Sequence, residues 1–172
     1  MTVSIRNRQR LLKIDARRLK RLAQEALTMS GATGDCLHVV LVDDRAMARL
    51  NERFHGVRHP TDVLAFDYTS TVNGGRGAGR ASLAADEPPP DETPTGEVVV
   101  SAERAAAQAK RFHSIPEREL LLYIVHGILH LHGFDDLTPP TRRRMRAAER
   151  RIMSRLRRRA LLRFVDTSLG VD

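Results

Sequence analysis

The segment Cys36-Leu-His-Val-Val-Leu-Val42 constrains the fold most strongly, because it is a compact, β-branched apolar run. Such a run is typical of a buried strand. The rest of the chain alternates between strand-like and helix-like patterns, and several connections are long enough for crossovers. We therefore predict an α/β (α+β) fold with a mixed central sheet of about four strands and helices packed on it.

Periodicity and end signals place the other elements along the chain. The predicted strands are residues 3–5, 36–42, 61–66 and 97–100, and the predicted helices are residues 15–29, 43–54, 101–112, 117–131 and 138–164. Asp15, Ser101 and one of Asp43 or Asp44 are expected to cap three of the helices. In the last helix an apolar stripe is expected to dock on the sheet or on the preceding helix; it comprises Met145, Ala148, Ile152 and Leu156.

Residues 69–95 differ in composition from the rest of the chain. They contain four closely spaced glycines, a Pro88-Pro89-Pro90 run and acidic residues, with few apolar side chains. Such a segment cannot fill a core and predicts a flexible loop inserted between two strands. The whole of residues 1–172 is expected to form one domain around that insertion.

Several classes of protein are excluded by what the sequence lacks. No apolar run approaches the roughly 20 residues of a membrane helix, and the first residues lack the apolar segment of a secretory signal. The single cysteine, Cys36, can form neither an internal disulfide nor a cysteine-based zinc cage. We expect a cytoplasmic protein with no membrane partner.

Basic residues are concentrated at both ends of the chain. The formal net charge is +8, and residues 141–165 alone carry eleven arginines against the single acidic residue Glu149. The planar guanidinium suits phosphate oxygens, so this pattern favours a polyanionic partner such as RNA. A solvated helix face in an arginine-rich protein is the alternative.

Two histidines lie four residues apart inside the apolar helix predicted over 117–131. Spacing i, i+4 brings the imidazoles of His126 and His130 onto one face, close enough to share a cation. Gly133 ends the helix, and the chain can then turn Asp136 back toward the pair. Two imidazoles and a carboxylate leave one position of a tetrahedral Zn²⁺ open, which is typical of a catalytic site holding one ion. The alternative is a pair of uncoordinated core histidines.

The residue after His126 argues against the commonest helical zinc enzymes. Helical zinc peptidases carry a glutamate directly after the first histidine, where it activates water as the general base. This chain has Gly127 at that place. The ordinary metallopeptidase mechanism is therefore disfavoured.

Four ordered motifs resemble the YbeY family of bacterial endoribonucleases. The segment His126-Gly-Ile-Leu-His-Leu-His-Gly-Phe-Asp-Asp136 is similar to the family's H-G-x-L-H-L-x-G-[FY]-D-H element. Upstream, Leu50-Asn51 followed by Pro60-Thr-Asp-Val-Leu-Ala-Phe66 and Gly96-Glu-Val-Val-Val-Ser101 resemble two further elements. Arg118-Glu-Leu120 leads into the metal helix as in that family.

This resemblance implies a zinc-dependent endoribonuclease specific for single strands, with a zincin-like metal helix. The implied role is 16S rRNA 3′-end maturation and ribosome quality control. The implied metal ligands are His126, His130 and Asp136, and the implied partners are RNA, above all rRNA within ribosomal particles, and ribosomal proteins.

The sequence departs from the family pattern at two places. Asp136 stands where the family usually has histidine; a carboxylate oxygen binds Zn²⁺ at about the same distance as an imidazole nitrogen. Asp135 competes for this role, although the spacing favours Asp136. His55 stands where the family usually has an arginine thought to face the substrate phosphate. His55 or the nearby Arg58 is expected to take that catalytic role.

These departures leave a second hypothesis open. The chain would then be a non-catalytic, ribosome-associated RNA-binding factor whose metal is structural. A metallopeptidase is the third and weakest hypothesis.

Overall fold

The computed structural model describes residues 1–69, 94–158 and 165 of the chain. The strands in these residues are β1 (Thr2–Asn7), β2 (Cys36–Val42), β3 (Val63–Asp67) and β4 (Gly96–Ser101). The helices are α1 (Ala16–Met29), α2 (Asp44–His55), α3 (Ala102–Arg111), α4 (Pro116–Leu131) and α5 (Pro139–Arg158).

The four strands form one mixed sheet in the order β1-β2-β4-β3. β2 pairs in parallel with both β1 and β4, and β3 joins the edge antiparallel to β4. Val39 of β2 lies opposite Val98 of β4, and Val63 of β3 lies opposite Val100. The predicted mixed sheet with packed helices is confirmed.

Each face of the sheet carries its own apolar core. Val98 and Val100 point to the face covered by α1, α3, α4 and α5, which we call the α4 face. Val99 points to the opposite face, where it packs with Met47 and Leu50 of α2, and we call this the α2 face. The alternation of side chains along β4 therefore assigns every residue of that strand to one face.

The helices begin where the capping residues predict. Asp15, Asp43 and Ser101 each accept a hydrogen bond from a backbone N–H three residues later, at 3.0, 2.7 and 3.1 Å. These bonds satisfy N–H groups that a helix cannot satisfy itself. Pro116 opens α4 at its first turn, where a missing N–H costs nothing.

The strand β3 begins two residues later than predicted. The Asp62 carbonyl still accepts a hydrogen bond from the Ser101 N–H. Thr61 and Asp62 are nevertheless outside the strand, and both line a pocket beside α4. The residues that make the strand prediction too long therefore belong to the pocket wall.

The apolar stripe predicted for the last helix is buried, and α5 packs against α4 and α1. The structure describes α5 as far as Arg158, so its predicted continuation to residue 164 lies outside the described residues. The same holds for residues 70–93 of the predicted loop. Among the described helices, none is long and apolar enough to cross a membrane.

Gly127 brings α4 unusually close to the sheet. A Cβ atom at this position would lie 2.6 Å from Cγ1 of Val98 and 3.2 Å from Cγ2 of Val63. Real Cβ atoms do not approach other atoms so closely, so the contact requires glycine. His126 directly precedes this contact on α4, and His130 follows it by three residues.

Candidate metal centre

The histidines of α4 and the following turn bring three metal-ligating side chains to one point. The His126 and His130 Nε2 atoms are 2.9 Å apart, and the Asp136 Oδ1 atom lies 4.0 Å from the His130 Nε2 atom. One ligating atom from each residue falls within 4.8 Å of the others. They line a pocket of about 340 Å³ beside the first residues of β3. This group can bind a metal ion.

The second nitrogen of each histidine is held by the protein. The His130 Nδ1 atom is 3.0 Å from the Phe134 carbonyl oxygen, and the His126 Nδ1 atom is 2.6 Å from the Glu149 Oε1 atom. A carbonyl and a carboxylate oxygen accept hydrogen bonds, so each ring donates from Nδ1. When both rings are neutral, the two Nε2 atoms then present lone pairs to each other. A cation between the two nitrogens removes the repulsion that this arrangement otherwise causes, and a metal ion fits the donor set.

The turn after α4 determines which aspartate reaches the pair. Gly133 adopts φ 75°, a left-handed conformation that lets the chain reverse. Asp135 accepts a hydrogen bond from the Leu137 backbone N–H at 2.9 Å and so faces its own turn. Asp136, one residue later, points toward His130. The geometry therefore favours Asp136 over Asp135, as the spacing predicts.

The helix α5 holds this turn from the outside. Besides the Glu149 bond to His126, the Arg142 Nε atom donates to the Asp136 carbonyl oxygen at 3.1 Å. The Arg144 guanidinium lies 5.0 Å from the centre of the Phe134 ring. The contact between Glu149 and His126 spans 23 residues, so no local sequence pattern indicates it.

Asp62 and Tyr123 also line the pocket. Burial raises the pKa of the Asp62 carboxyl above its usual range; the Asp44 carboxylate adds to the rise, while Arg104 and His126 oppose it. Burial likewise raises the pKa of the Tyr123 hydroxyl. Sequence reasoning missed Asp62, although it lies inside the Pro60–Phe66 motif; a carboxylate directly before a buried strand is the signal that points to it.

The structure places His55 and Arg58 away from the ligands. His55 is the last residue of α2 and is exposed. The Arg58 Nε atom lies 2.6 Å from the Glu52 Oε1 atom in an exposed ion pair. Neither residue is among those that line the pocket. A catalytic role for either residue stays a prediction.

His132 serves the structure of the helix end. Its Nδ1 atom lies 2.7 Å from the Ile128 carbonyl oxygen, and its Nε2 atom lies 3.0 Å from the Asp35 Oδ2 atom. His132 thus combines a contact within its own helix with a long-range contact that the sequence does not indicate. Both ring nitrogens are engaged outside the ligand group.

Fold and site together define a metal-binding α/β domain whose ligands come from one helix and the turn that follows it. The model of the YbeY family, described as Endoribonuclease YbeY, matches residues 4–157. The chain belongs to the YbeY family.

Curated relatives agree with this assignment, and a solved structure shares the fold. The chain is 35% identical over 141 residues to Endoribonuclease YbeY of Symbiobacterium thermophilum, covering 80% of this chain and 84% of the relative. It is 37% identical over 117 residues to Endoribonuclease YbeY of Caldicellulosiruptor bescii, covering 68% and 70%. The solution structure of a Thermotoga maritima protein shares the fold, with a TM-score of 0.57, 21% identity and coverage of 99% and 100%.

Proposed function

We propose that this protein is a zinc-dependent endoribonuclease that cleaves single-stranded RNA, and that it acts in 16S rRNA 3′-end maturation and ribosome quality control in the cytoplasm. Its membership of the YbeY family supports a metal-dependent hydrolase acting on RNA. The observation that carries the proposal is the convergence of two Nε2 lone pairs, each fixed by a bond to Nδ1, beside a carboxylate.

One zinc ion suits this donor set better than a hard cation does. Imidazole nitrogen together with a carboxylate oxygen is a zinc ligand set, whereas magnesium and calcium prefer oxygen alone. His126, His130 and Asp136 would hold the ion and leave one position open. When bound there, zinc polarises a phosphoryl oxygen or lowers the pKa of a water molecule.

The groups around the ligands have two further roles, which are orientation of the histidine rings and proton transfer. Glu149 and the Phe134 carbonyl fix the ring orientation of the two histidines. The attacking group, which is a water molecule or the RNA 2′-hydroxyl, must lose a proton, and the leaving 5′-oxygen must gain one. We assign proton transfer to Asp62, because its position on the pocket wall and its raised pKa suit a general acid or base.

The RNA itself is expected to lie along basic surfaces. Arg150 and Arg157 are exposed on α5, on the helix that also carries Glu149. Such arginines bind the phosphate backbone with a strong salt dependence. His55 and Arg58 are proposed to contact phosphate at the end of α2. Ribosomal particles, through rRNA and ribosomal proteins, are the proposed partners.

Cleavage of a short single-stranded RNA and of its matched duplex tests the proposal. We expect the zinc-loaded protein to cut the single strand, a chelator to abolish cleavage, and added zinc to restore it. His130→Ala should lose both zinc and cleavage, and Asp62→Asn should lose cleavage while retaining zinc. Cleavage that is unaffected by removal of the metal would contradict the proposal. RNA binding without cleavage by the zinc-loaded protein would favour a non-catalytic RNA-binding factor instead.

A further inference from the structure

The charge of the metal pocket is unfavourable for an RNA phosphate. Three carboxylates line the pocket, those of Asp62, Asp136 and Glu149, and no lysine or arginine is among its lining residues. Three carboxylates around one divalent cation reduce the positive charge that the cation offers to a phosphate. A phosphodiester anion entering such a pocket needs a further positive group at the rim.

Several other arginines of the chain are already engaged with carboxylates. Arg58 pairs with Glu52 at 2.6 Å, and Arg118 pairs with Glu119 at 2.7 Å. The Arg104 Nε atom lies 3.3 Å from the Asp44 Oδ2 atom. An arginine neutralised by a neighbouring carboxylate attracts phosphate less strongly.

Arg142 differs from these arginines in position and in partners. Its Nε atom donates to the Asp136 carbonyl oxygen at 3.1 Å, so the guanidinium is anchored to the residue that supplies the third ligand. The side chain is exposed, and its two terminal amino groups have no protein partner within the described part of the chain. Arg142 also precedes Glu149 by seven residues, two helical turns, and therefore shares the face of α5 that meets His126.

We propose that Arg142 binds the phosphate of the RNA at the mouth of the metal pocket, and that this inference rests on the proposed ribonuclease activity. The anchored Nε atom fixes the guanidinium plane, and the two terminal amino groups present a fork to the phosphate oxygens. Lysine can supply the charge but neither the fork nor the bond to the Asp136 carbonyl. The same side chain therefore joins the ligand turn to the substrate.

Arg142→Gln, Arg142→Lys and the control Arg49→Gln separate phosphate binding from general basic charge. Arg49 is an exposed arginine in the middle of α2 on the other side of the sheet. Each full-length variant is compared with the parent protein at limiting and at saturating zinc, with the short single-stranded RNA as substrate. Zinc content, kcat, KM and the salt dependence of KM are measured.

Arg142→Gln should lower kcat/KM at least about tenfold, mainly through KM. It should also make the slope of log KM against log salt concentration shallower by about 0.7. Its zinc content should equal that of the parent, Arg142→Lys should recover part of the loss, and Arg49→Gln should change kcat/KM less than about twofold. Equal effects of Arg142→Gln and Arg49→Gln would overturn the proposal. A loss that disappears at saturating zinc would also overturn it, because Arg142 would then only hold the ligand turn.

Failure of the ribonuclease activity is distinguishable from failure of this inference. If the zinc-loaded parent cleaves no RNA, the affinity of the same oligonucleotide decides the assignment. Arg142→Gln must then weaken binding more than Arg49→Gln does, and equal affinities would reject the role of Arg142.

Discussion

Buried polar groups have different hydrogen-bond partners on the two faces of the sheet. On the α4 face, His126 and Glu149 are partly buried beside the pocket, and the His126 Nδ1 atom lies 2.6 Å from the Glu149 Oε1 atom. On the α2 face, Glu97 is 2% exposed, and its Oε1 atom has no hydrogen-bond partner among the described residues. Burial raises the pKa of this carboxyl to about 7, against the opposing effect of Arg6 and Arg8. Polar burial on the α4 face builds a ligand set, whereas on the α2 face it costs stability.

The largest expected effect on the α4 face comes from the third ligand. Asp136→Ala removes one of three protein ligands and should weaken zinc binding at least about 100-fold. Asp136→His keeps a ligand at the same place and should retain zinc. Competition with a metal indicator measures both affinities. Asp135→Ala is the control, and the assignment is off by one if that variant loses zinc while Asp136→Ala keeps it.

A smaller effect is expected where Glu149 supports His126. Glu149→Gln keeps the shape of the side chain but removes its negative charge, so it should weaken zinc binding about tenfold. Glu103→Gln on α3 outside the pocket is the matched control and should leave the zinc affinity unchanged. Identical zinc affinities for Glu149→Gln and the parent would show that packing alone orients the ring.

On the α2 face the expected effect is on stability rather than on metal. Since the pKa of Glu97 is raised from 4.5 to about 7 by folding, the unfolded chain releases this proton first. The contribution of Glu97 to the free energy of unfolding therefore falls as the pH rises from about 4.5 to about 7 and is level above that. Glu97→Gln should remove this loss, which amounts to at most about 3 kcal/mol.

Urea unfolding of Glu97→Gln and the parent at a series of pH values measures that difference. Glu52→Gln, which changes an exposed glutamate, should give a profile parallel to that of the parent. Parallel profiles for Glu97→Gln and the parent would place the Glu97 carboxylate in a more polar environment than the structure gives it.

The smallest effects are expected at the end of α2, where nothing holds the side chains against the pocket. His55→Ala and Arg58→Ala should each lower kcat/KM for RNA about threefold, through KM, by removing a side chain that can donate a hydrogen bond to phosphate. His55→Arg should raise kcat/KM, because it adds a phosphate-binding fork. His59→Ala provides the comparison. Unchanged kinetics in all three His55 and Arg58 variants would remove this region from the site.

The parts of the molecule that sequence predicts well are those set by local chemistry. The bounds of β2, Cys36–Val42, follow from its apolar run, and α1 begins directly after its Asp15 cap. The pairing of His126 and His130 follows from helical spacing alone. Which ring nitrogen of each histidine carries the proton does not follow from spacing. It depends on Glu149 and on the Phe134 carbonyl, which are brought into place only by the docking of α5 and by the turn after α4.

The role of Asp62 likewise cannot be predicted from local sequence. Its motif is visible in the sequence, but the raised pKa of its carboxyl comes from burial against α4, which no local pattern encodes. The start of β3 is misjudged for the same reason, since Thr61 and Asp62 have strand-like neighbours and yet line the pocket. The segment 70–93 is outside the described residues, so its predicted flexibility stays a prediction.

The close contact at Gly127 also limits how this protein can diverge. A peptidase-like helix requires glutamate at that position, but even a methyl group there would lie 2.6 Å from Val98. A glutamate could enter only after the valine had been replaced by a smaller residue, and that change by itself opens a cavity in the core. Each single step is therefore destabilising. The spacing between helix and sheet therefore opposes, at each of two steps, the glutamate that helical zinc peptidases carry after the first histidine.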